Sequence, residues 1–333
     1  MRKIPRYAYL VLVCLCSLWM CLLIWIHRPW GMISSILLIT FVFLLSIVNL
    51  FQFNKFSSIS PYVHFIYWLT FLISLLVFFC LVPRNDRQWQ PEVDKIIQYQ
   101  FVDGQVEIQN VRNFIWHTPD DYQVQWETRR YSLEDINQVD LIVSHFIPGP
   151  VAHVFMSFGF KNGEHLAFSL EVRQEKDEGF STIGGFFRQY ELALVVGDEN
   201  DVIYARTNIR DEDVYIYPIT MQKNEMQILF LEYLNKANRL NNQPRWYNTL
   251  VSNCTTILFD LVEYTVGRVP RDYRVVLPGL LPEYLHDYGQ LAPSLTVEEW
   301  KQRNHVNPKT EHLKNGPDDL DIPFSKLIRQ DIR

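Results

Sequence analysis

The chain has 333 residues, 48% of them hydrophobic and 20% charged, with a formal net charge of −6. That length is more than a single core of about 100–200 residues requires, and a mean hydropathy of only −0.06 beside so much apolar content means that the apolar residues are concentrated in one place. A pI of about 5.9 and the lack of a basic stripe exclude nucleic acid as a partner.

The apolar residues gather in the first quarter. Residues 7–26, 31–53 and 62–82 are nearly charge-free, and each is about the 20 residues that a helix needs to cross roughly 30 Å of hydrocarbon. They predict three transmembrane helices with short polar links at His27-Arg28-Pro29 and Asn54-Lys55-Phe56-Ser57-Ser58, with Ser60-Pro61 opening the third. A cleaved signal peptide is the rival reading of the first stretch, but its apolar run is too long and no small-residue cleavage site follows. Arg2, Lys3, Arg6 and Lys55 lie on one side of the spans and Arg28, Arg84 and Arg87 on the other. This bias points the remainder of the chain away from the cytoplasm. Trp25, Trp30, Trp68 and Trp89 fall near the expected headgroup levels.

Beyond the spans, 84–91 reads as polar linker, and 99–126 alternates apolar and polar residues in the manner of half-exposed strands. A short helix is expected over 133–138, N-capped by Ser132. Strands are expected at 140–144, 152–160, 166–173, 191–196 and 214–218, with a two-residue hairpin turn around Asn162-Gly163. The spacing of Met226, Leu229, Phe230, Tyr233, Leu234, Ala237 and Leu240 is helical, and a second helix starts at Asn253 and runs to Gly267. Pro270, Pro278 and Pro282 mark a wrapping region, and the polar stretch after Val297 reads as mobile. The organisation is thus an anchor over 1–83, a linker over 84–98, an extracytoplasmic α+β domain over 99–297 with a mostly antiparallel sheet and packed helices, and a polar tail over 298–333.

Four of the five cysteines, Cys14, Cys16, Cys21 and Cys80, lie in the expected spans, so Cys254 is alone in the soluble portion. A lone thiol there is inert and buried, paired to another chain, or reactive. Its setting, Ser252-Asn253-Cys254-Thr255-Thr256, is a helix start. At such a place the macrodipole and free amides lower a thiol pKa and hold an oxyanion. A nucleophilic cysteine also requires an imidazole. His153, on the apolar strand Val151-Ala152-His153-Val154-Phe155, is the strongest candidate, against the plainer reading of a core histidine satisfied by a carbonyl. His145, His165 and His117 are weaker, being next to turns or in a loop.

Glu171 and Arg173 alternate on one strand and either orient His153, hold a lipid headgroup or form a surface ion pair. Arg206 and Arg210 suit a phosphate or carboxylate, or a structural ion pair. Asp198-Glu199-Asn200-Asp201 lacks the glycine and terminal glutamate of a calcium loop and reads as a turn. No Cys-x-x-Cys, His-Glu-x-x-His, Walker or Gly-x-Gly-x-x-Gly pattern occurs, so no metal or other cofactor is expected.

The blocks Ala152-His153 with Ser157-Phe158-Gly159-Phe160, Leu166-Ala167-Phe168-Ser169-Leu170-Glu171-Val172-Arg173, Phe187-Arg188-Gln189-Tyr190-Glu191-Leu192, Asp201-Val202-Ile203 with Arg206-Thr207-Asn208, and Trp246-Tyr247-Asn248 with Asn253-Cys254-Thr255-Thr256 resemble the bacterial Lnb N-terminal periplasmic domain family, named for the lipoprotein intramolecular transacylase. More distantly, a strand histidine followed by Asn-Cys at a helix start is similar to the permuted papain-like fold (NlpC/P60-like) of the lecithin–retinol acyltransferase group. The resemblance implies a multi-pass protein of the bacterial inner membrane with an extracytoplasmic catalytic domain. It implies a membrane lipid or lipoprotein acyl substrate and a Cys254 thioester formed with His153 as base. Asn253, Glu171, Arg173, Arg206 and Tyr247 would support the site or bind substrate. A cysteine amidase or peptidase of the cell wall, or a non-catalytic membrane-tethered binding domain, is the alternative; a deep apolar channel favours the acyltransferase and an open polar cleft the amidase.

Overall fold

The computed structural model describes residues 6–52, 60–291, 294–313, 316, 320–330 and 332. Arg2, Lys3 and the Lys55 link, on which the orientation argument partly rests, lie outside them. The chain divides into two compact units: one of residues 1–84 with 180–190, the other of residues 85–179 with 191–333.

The first unit contains the helices α1 (Arg6–His27), α2 (Met32–Gln52) and α3 (Ser60–Cys80). All three are long and apolar enough to cross a membrane. Their sequences are hydrophobic all round, so side chains such as Leu15, Leu37, Phe43 and Phe79 remain exposed, as expected where lipid rather than water is the surrounding medium. Tyr9, Val13, Met20, Val42 and Tyr67 form the helix–helix core. Within it Ser17 meets Ser46 at 2.7 Å and Tyr67 at 2.9 Å, and Tyr67 donates to the Val13 carbonyl at 3.0 Å. Small hydroxyls allow close approach and give the helices polar contacts that lipid cannot replace. Trp25 and Trp30 are exposed at the end of α1, whereas Trp68 packs against Tyr67 and Phe71 inside the bundle.

The second unit is a mixed α+β domain. Its strands are β1 (Gln98–Val102), β2 (Gln105–Arg112), β3 (Ile115–Trp116), β4 (Tyr122–Gln123), β5 (Trp126–Tyr131), β6 (Ile136–His145), β7 (His153–Phe160), β8 (His165–Arg173) and β9 (Glu191–Asp198), followed after a helix by β10 (Asp213–Pro218). Eight of them form one sheet in the order β1-β2-β9-β8-β7-β6-β10, with β5 also on β2, while β3 and β4 pair separately. Every pairing is antiparallel except the short contact of β2 with β9, at Arg112 and Gly197. A Cβ at Gly197 would lie 2.8 Å from Val202 and 3.0 Å from the Arg112 carbonyl, so only glycine permits that crossing.

Strand alternation sets the two faces of the sheet. Val154, Met156 and Phe158 of β7 face a core shared with α5 (Lys223–Asn242) and α6 (Cys254–Val266). Phe155 of the same strand faces a second core with Val202, Ile203 and Tyr204 of α4 (Glu199–Tyr204). Helix α4 runs directly into a π-helical turn over Ala205–Ile209. The proline-marked region contributes α7 (Leu281–Asp287), whose Leu281 and Leu285 close the first core, and α8 (Val297–Asn304) follows.

Several sequence expectations are corrected. The helix expected over 133–138 is a single turn, Leu133–Asp135, because Ile136 and Val139 are needed in the sheet core and pull the chain into β6. The β7–β8 hairpin forms, but only Gly163 takes positive φ, and Phe160 closes the loop by donating to Glu164 O at 2.9 Å. The stretch read as polar linker is packed: Trp89 is buried with Val93, Ala193 and Val195. Described residues of the polar C-terminal stretch likewise pack on the second core, where Val306, Phe324, Leu327 and Ile328 are buried. Arg329 there reaches the fully buried Asp140 at 2.7 Å and Glu199 at 2.5 Å. Asp198-Glu199-Asn200-Asp201 is not a free turn: Asp198 caps α4, and Asp201 is buried against Arg112 at 2.8 Å.

Candidate active site

Helix α6 begins at Cys254, and the residue before it explains why. The Asn253 side chain accepts from the Thr256 amide at 2.9 Å while Thr256 Oγ1 accepts from the Asn253 amide at 3.0 Å, a reciprocal cap. The first intrahelical bond is Ile257 N to Asn253 O. The amides of Cys254 and Thr255 therefore precede the ladder, at the positive end of the helix.

His153 is the first residue of β7. On the β6 side the ladder extends to the Ser144–His153 pair, but on the β8 side it runs only from Gly159–His165 to Met156–Phe168. Beyond Met156 the β7–β8 pairing ends, and α6, which begins at Cys254, packs against β7. The Val154 amide and the His153 ring lie beside the Cys254 sulfur and favour its charged form. The Thr255 hydroxyl lies 3.8 Å from it.

The other ring nitrogen of His153 is engaged on the opposite face of the sheet. Nε2 lies 2.7 Å from Ser169 Oγ, and Ser169 donates its single proton to Glu171 Oε1 at 2.6 Å. With that hydroxyl proton spent, Nε2 must be the donor to Ser169, which leaves Nδ1 for the sulfur. Glu171 Oε1 is itself 3.4 Å from Nε2. Arg206 donates to Glu171 at 2.8 Å and to Glu212 at 3.1 Å, and Ser144 donates to Glu212. The Arg206 guanidinium and the His153 ring both stack over Phe155, with centroids at 5.3 and 5.6 Å. The relay is thus Cys254, His153, Ser169 with Glu171, Arg206 and Glu212.

Its charges are mutually supporting. Burial works against a charged His153, but the Glu171 carboxylate and Cys254 together outweigh it and the nearby Arg206 charge, and the ring pKa is pushed up to about 9. Burial also raises the Cys254 thiol. The neighbouring imidazolium, the Val154 amide and the Thr255 hydroxyl outweigh that, and the net direction is down. Glu171, buried but flanked by His153 and Arg206, is held well below the usual carboxylate range. These directions favour the charged forms of Cys254, His153 and Glu171 together.

Of the residues singled out in the sequence, Cys254, His153, Asn253, Glu171 and Arg206 come together. Tyr247 lies near the pair, since burial and then the charges of Cys254 and Glu171 push its phenol pKa up. Arg173 does not join them. It is buried elsewhere, donating to Val93 O at 2.9 Å, Asn85 Oδ1 at 2.7 Å and Asp94 O at 2.6 Å, with Trp89 beneath it at 4.4 Å. Arg210 pairs with Glu92, and His145 contacts Gly149 O at 3.2 Å. Ser169 was missed, although its place two residues before Glu171 on one strand face was a usable signal. Tyr233, whose phenol burial and the Cys254 charge also push up, had no such signal beyond its helical spacing. Among the described residues no cluster of His, Cys, Asp and Glu could hold a metal ion.

Residues 122–279 match the family model of the Lnb N-terminal periplasmic domain, the family that the sequence blocks resemble, and the match includes every member of the relay. No curated protein and no solved structure matches the chain.

Proposed function

Given an Lnb N-terminal periplasmic domain in a chain with three apolar helices fit to anchor it in a membrane, we propose that the protein is a cysteine-dependent acyltransferase working on acyl esters at the membrane surface, on the lipoprotein diacylglyceryl cysteine or a membrane lipid. The observation that carries the reading is Cys254 at the start of α6 beside His153, with Glu171 behind the ring. That constellation serves nucleophilic acyl transfer and has no obvious use in a binding domain. The cysteine at a helix start against a histidine strand is also the arrangement of the permuted papain-like acyltransferases that the sequence resembles.

In the first half-reaction the thiolate of Cys254 attacks the ester carbonyl. The carbonyl oxygen becomes an oxyanion, for which the amides of Cys254 and Thr255 are the nearest free donors at the helix start. The carbon–oxygen bond to the alcohol breaks, the leaving oxygen takes the proton from His153 Nδ1, and a thioester remains. In the second half an amine or hydroxyl attacks the thioester and gives its proton to His153. The carbon–sulfur bond then breaks and the thiolate returns. Glu171, oriented by Ser169 and Arg206, keeps the ring correctly turned and stabilises its cation through both halves.

An apolar cavity of about 380 Å³, lined in part by α6 but not by Cys254 or His153, is the space we assign to the acyl chain in preference to a cell-wall peptide. Its lining includes Met156, Leu258, Val262, Tyr284 and Leu285. Leu258 stands one turn along α6 from Cys254, about 6 Å by helical rise. Exposing the purified protein to activated esters of short and long fatty acids, then measuring the thioester on Cys254 by mass spectrometry, tests the reading. Both chain lengths should acylate Cys254, and Leu258→Trp, which narrows the cavity, should slow the long chain at least five-fold more than the short one. Hydrolysis of cell-wall peptides without acyl capture would replace this reading with an amidase.

A further inference from the structure

The segment Phe180–Tyr190, which leaves the domain after β8 and returns to it at β9, belongs to the same compact unit as the three apolar helices. Its approach is polar, Gln174-Glu175-Lys176-Asp177-Glu178, but its own eleven residues, Phe-Ser-Thr-Ile-Gly-Gly-Phe-Phe-Arg-Gln-Tyr, carry one charge, Arg188. That charge is committed to the helix bundle. Its guanidinium donates to Phe78 O at 3.0 Å, Phe79 O at 3.2 Å and Leu81 O at 3.4 Å, and lies 4.6 Å over the Phe78 ring. Those carbonyls end α3, where a cation is favoured. Arg188 holds a left-handed φ of 56° to reach them, which an arginine adopts only when the contacts demand it. Next to it Phe187 is buried, 6.0 Å from Trp19, and its carbonyl meets His27 Nε2 at 2.7 Å at the end of α1.

The segment is therefore seated at the level where α1 and α3 end on one side of the bundle. There its anchoring residues point inward, while Phe180, Ile183 and Phe186 are 54%, 50% and 40% exposed. Three large apolar side chains on one short loop would be costly in water. Trp25, Trp30, Phe79 and Val82, at the same ends of α1 and α3, are exposed as well. Aromatic and aliphatic side chains at that depth, with an arginine beside the helix-end carbonyls, suit the boundary between headgroups and acyl chains. We propose that Phe180–Tyr190 is a lipid-embedding element: Phe180, Ile183 and Phe186 insert into the outer leaflet, so the domain is held to the bilayer at a second place besides its helices. The inference is independent of the chemistry at Cys254.

The test uses the full chain in nanodiscs containing a phospholipid with a diazirine near the top of its acyl chain. After illumination, trypsin cleaves behind Lys176 and Arg188 and releases residues 177–188 as one peptide. Lipid adducts are expected on this peptide, at Phe180, Ile183 or Phe186, alongside adducts on the helices. In the triple variant F180S/I183S/F186S they should fall at least five-fold while the helix adducts persist. Labelled helices with no lipid adduct on the wild-type 177–188 peptide would overturn the proposal, as would stronger labelling of that peptide by a water-soluble diazirine than by the lipid.

Discussion

His153 Nε2 lies 2.7 Å from Ser169 Oγ, and Ser169 passes the contact on to Glu171 at 2.6 Å. The histidine is thus fixed from behind by a serine and a carboxylate together, which leaves its other nitrogen for Cys254. Each step of this arrangement has a measurable consequence.

Cys254 should react with iodoacetamide at pH 7 as a thiolate. An ordinary thiol of pKa about 8.5 is only a few per cent ionised there. His153→Ala removes both the proton acceptor and the stabilising cation, so labelling of Cys254, followed on its own peptide in the full chain, should slow by about ten-fold. An unchanged rate would show that the imidazole does not activate the thiol.

Glu171→Gln keeps the shape of the side chain and removes its charge. The carboxylate raises the His153 pKa, and the imidazolium in turn lowers that of Cys254. Losing the charge lets the ring become neutral at a lower pH and returns the thiol toward its ordinary value. The acidic limb of the labelling-rate profile, where Cys254 gains its proton, should therefore move to higher pH. Since Ser169 remains, the labelling at high pH should be preserved, which separates an electrostatic effect from loss of the fold.

Arg329→Met should destabilise the domain by about 3–5 kcal/mol at neutral pH, because it leaves two buried carboxylates without their cation. Burial alone would raise the Glu199 pKa, but Arg329, helped by His165 and Ser157, holds it down to about 2. A depressed carboxylate contributes stability above its unfolded value of about 4.3 that is lost as pH falls toward the folded one. The gap between wild type and variant in denaturation midpoint should narrow as pH is lowered from about 5 toward about 2. A gap that stays constant over that range would assign the loss to packing alone.

Reporter fusions joined after Arg87 test the orientation. An enzyme that folds only outside the cytoplasm should be active there, and a reporter that fluoresces only in the cytoplasm should be dark. The reverse pattern would invert the reading of the charge bias.

Much of this was legible in the sequence because the features are local. Twenty-residue apolar runs, the capping residues around Cys254, the helical spacing of Leu229 to Leu240 and the alternation in β7 and β8 depend only on neighbours in the chain. The relay behind His153 was legible in part: Glu171 and Arg206 stood out by type, but their meeting depends on β8 lying beside β7 and on how the chain turns after β9. Arg173 was misjudged for the same reason. It alternates with Glu171 as expected of one strand face, yet Val93, Asp94 and Asn85 arrive from a region read as linker and claim it. The C-terminal stretch was misjudged because its few apolar residues, Phe324, Leu327 and Ile328, are too sparse to predict packing, and its main attachment is one arginine on acids about 130 and 190 residues earlier. Long-range charge pairs leave no period to read.

The π-helical turn at Ala205–Ile209 makes the site depend on chain length as well as on chemistry. A π turn holds one residue more than an α turn would, and Arg206 projects from it onto Glu171 while β10 resumes four residues later at Asp213. Removing a single residue from this turn would rotate what precedes it relative to β10 by about 100°, and Arg206 and Glu212 could not both keep their partners. The position of the guanidinium is therefore written in a count of residues, and a deletion here would uncouple the relay even though every side chain in it was retained.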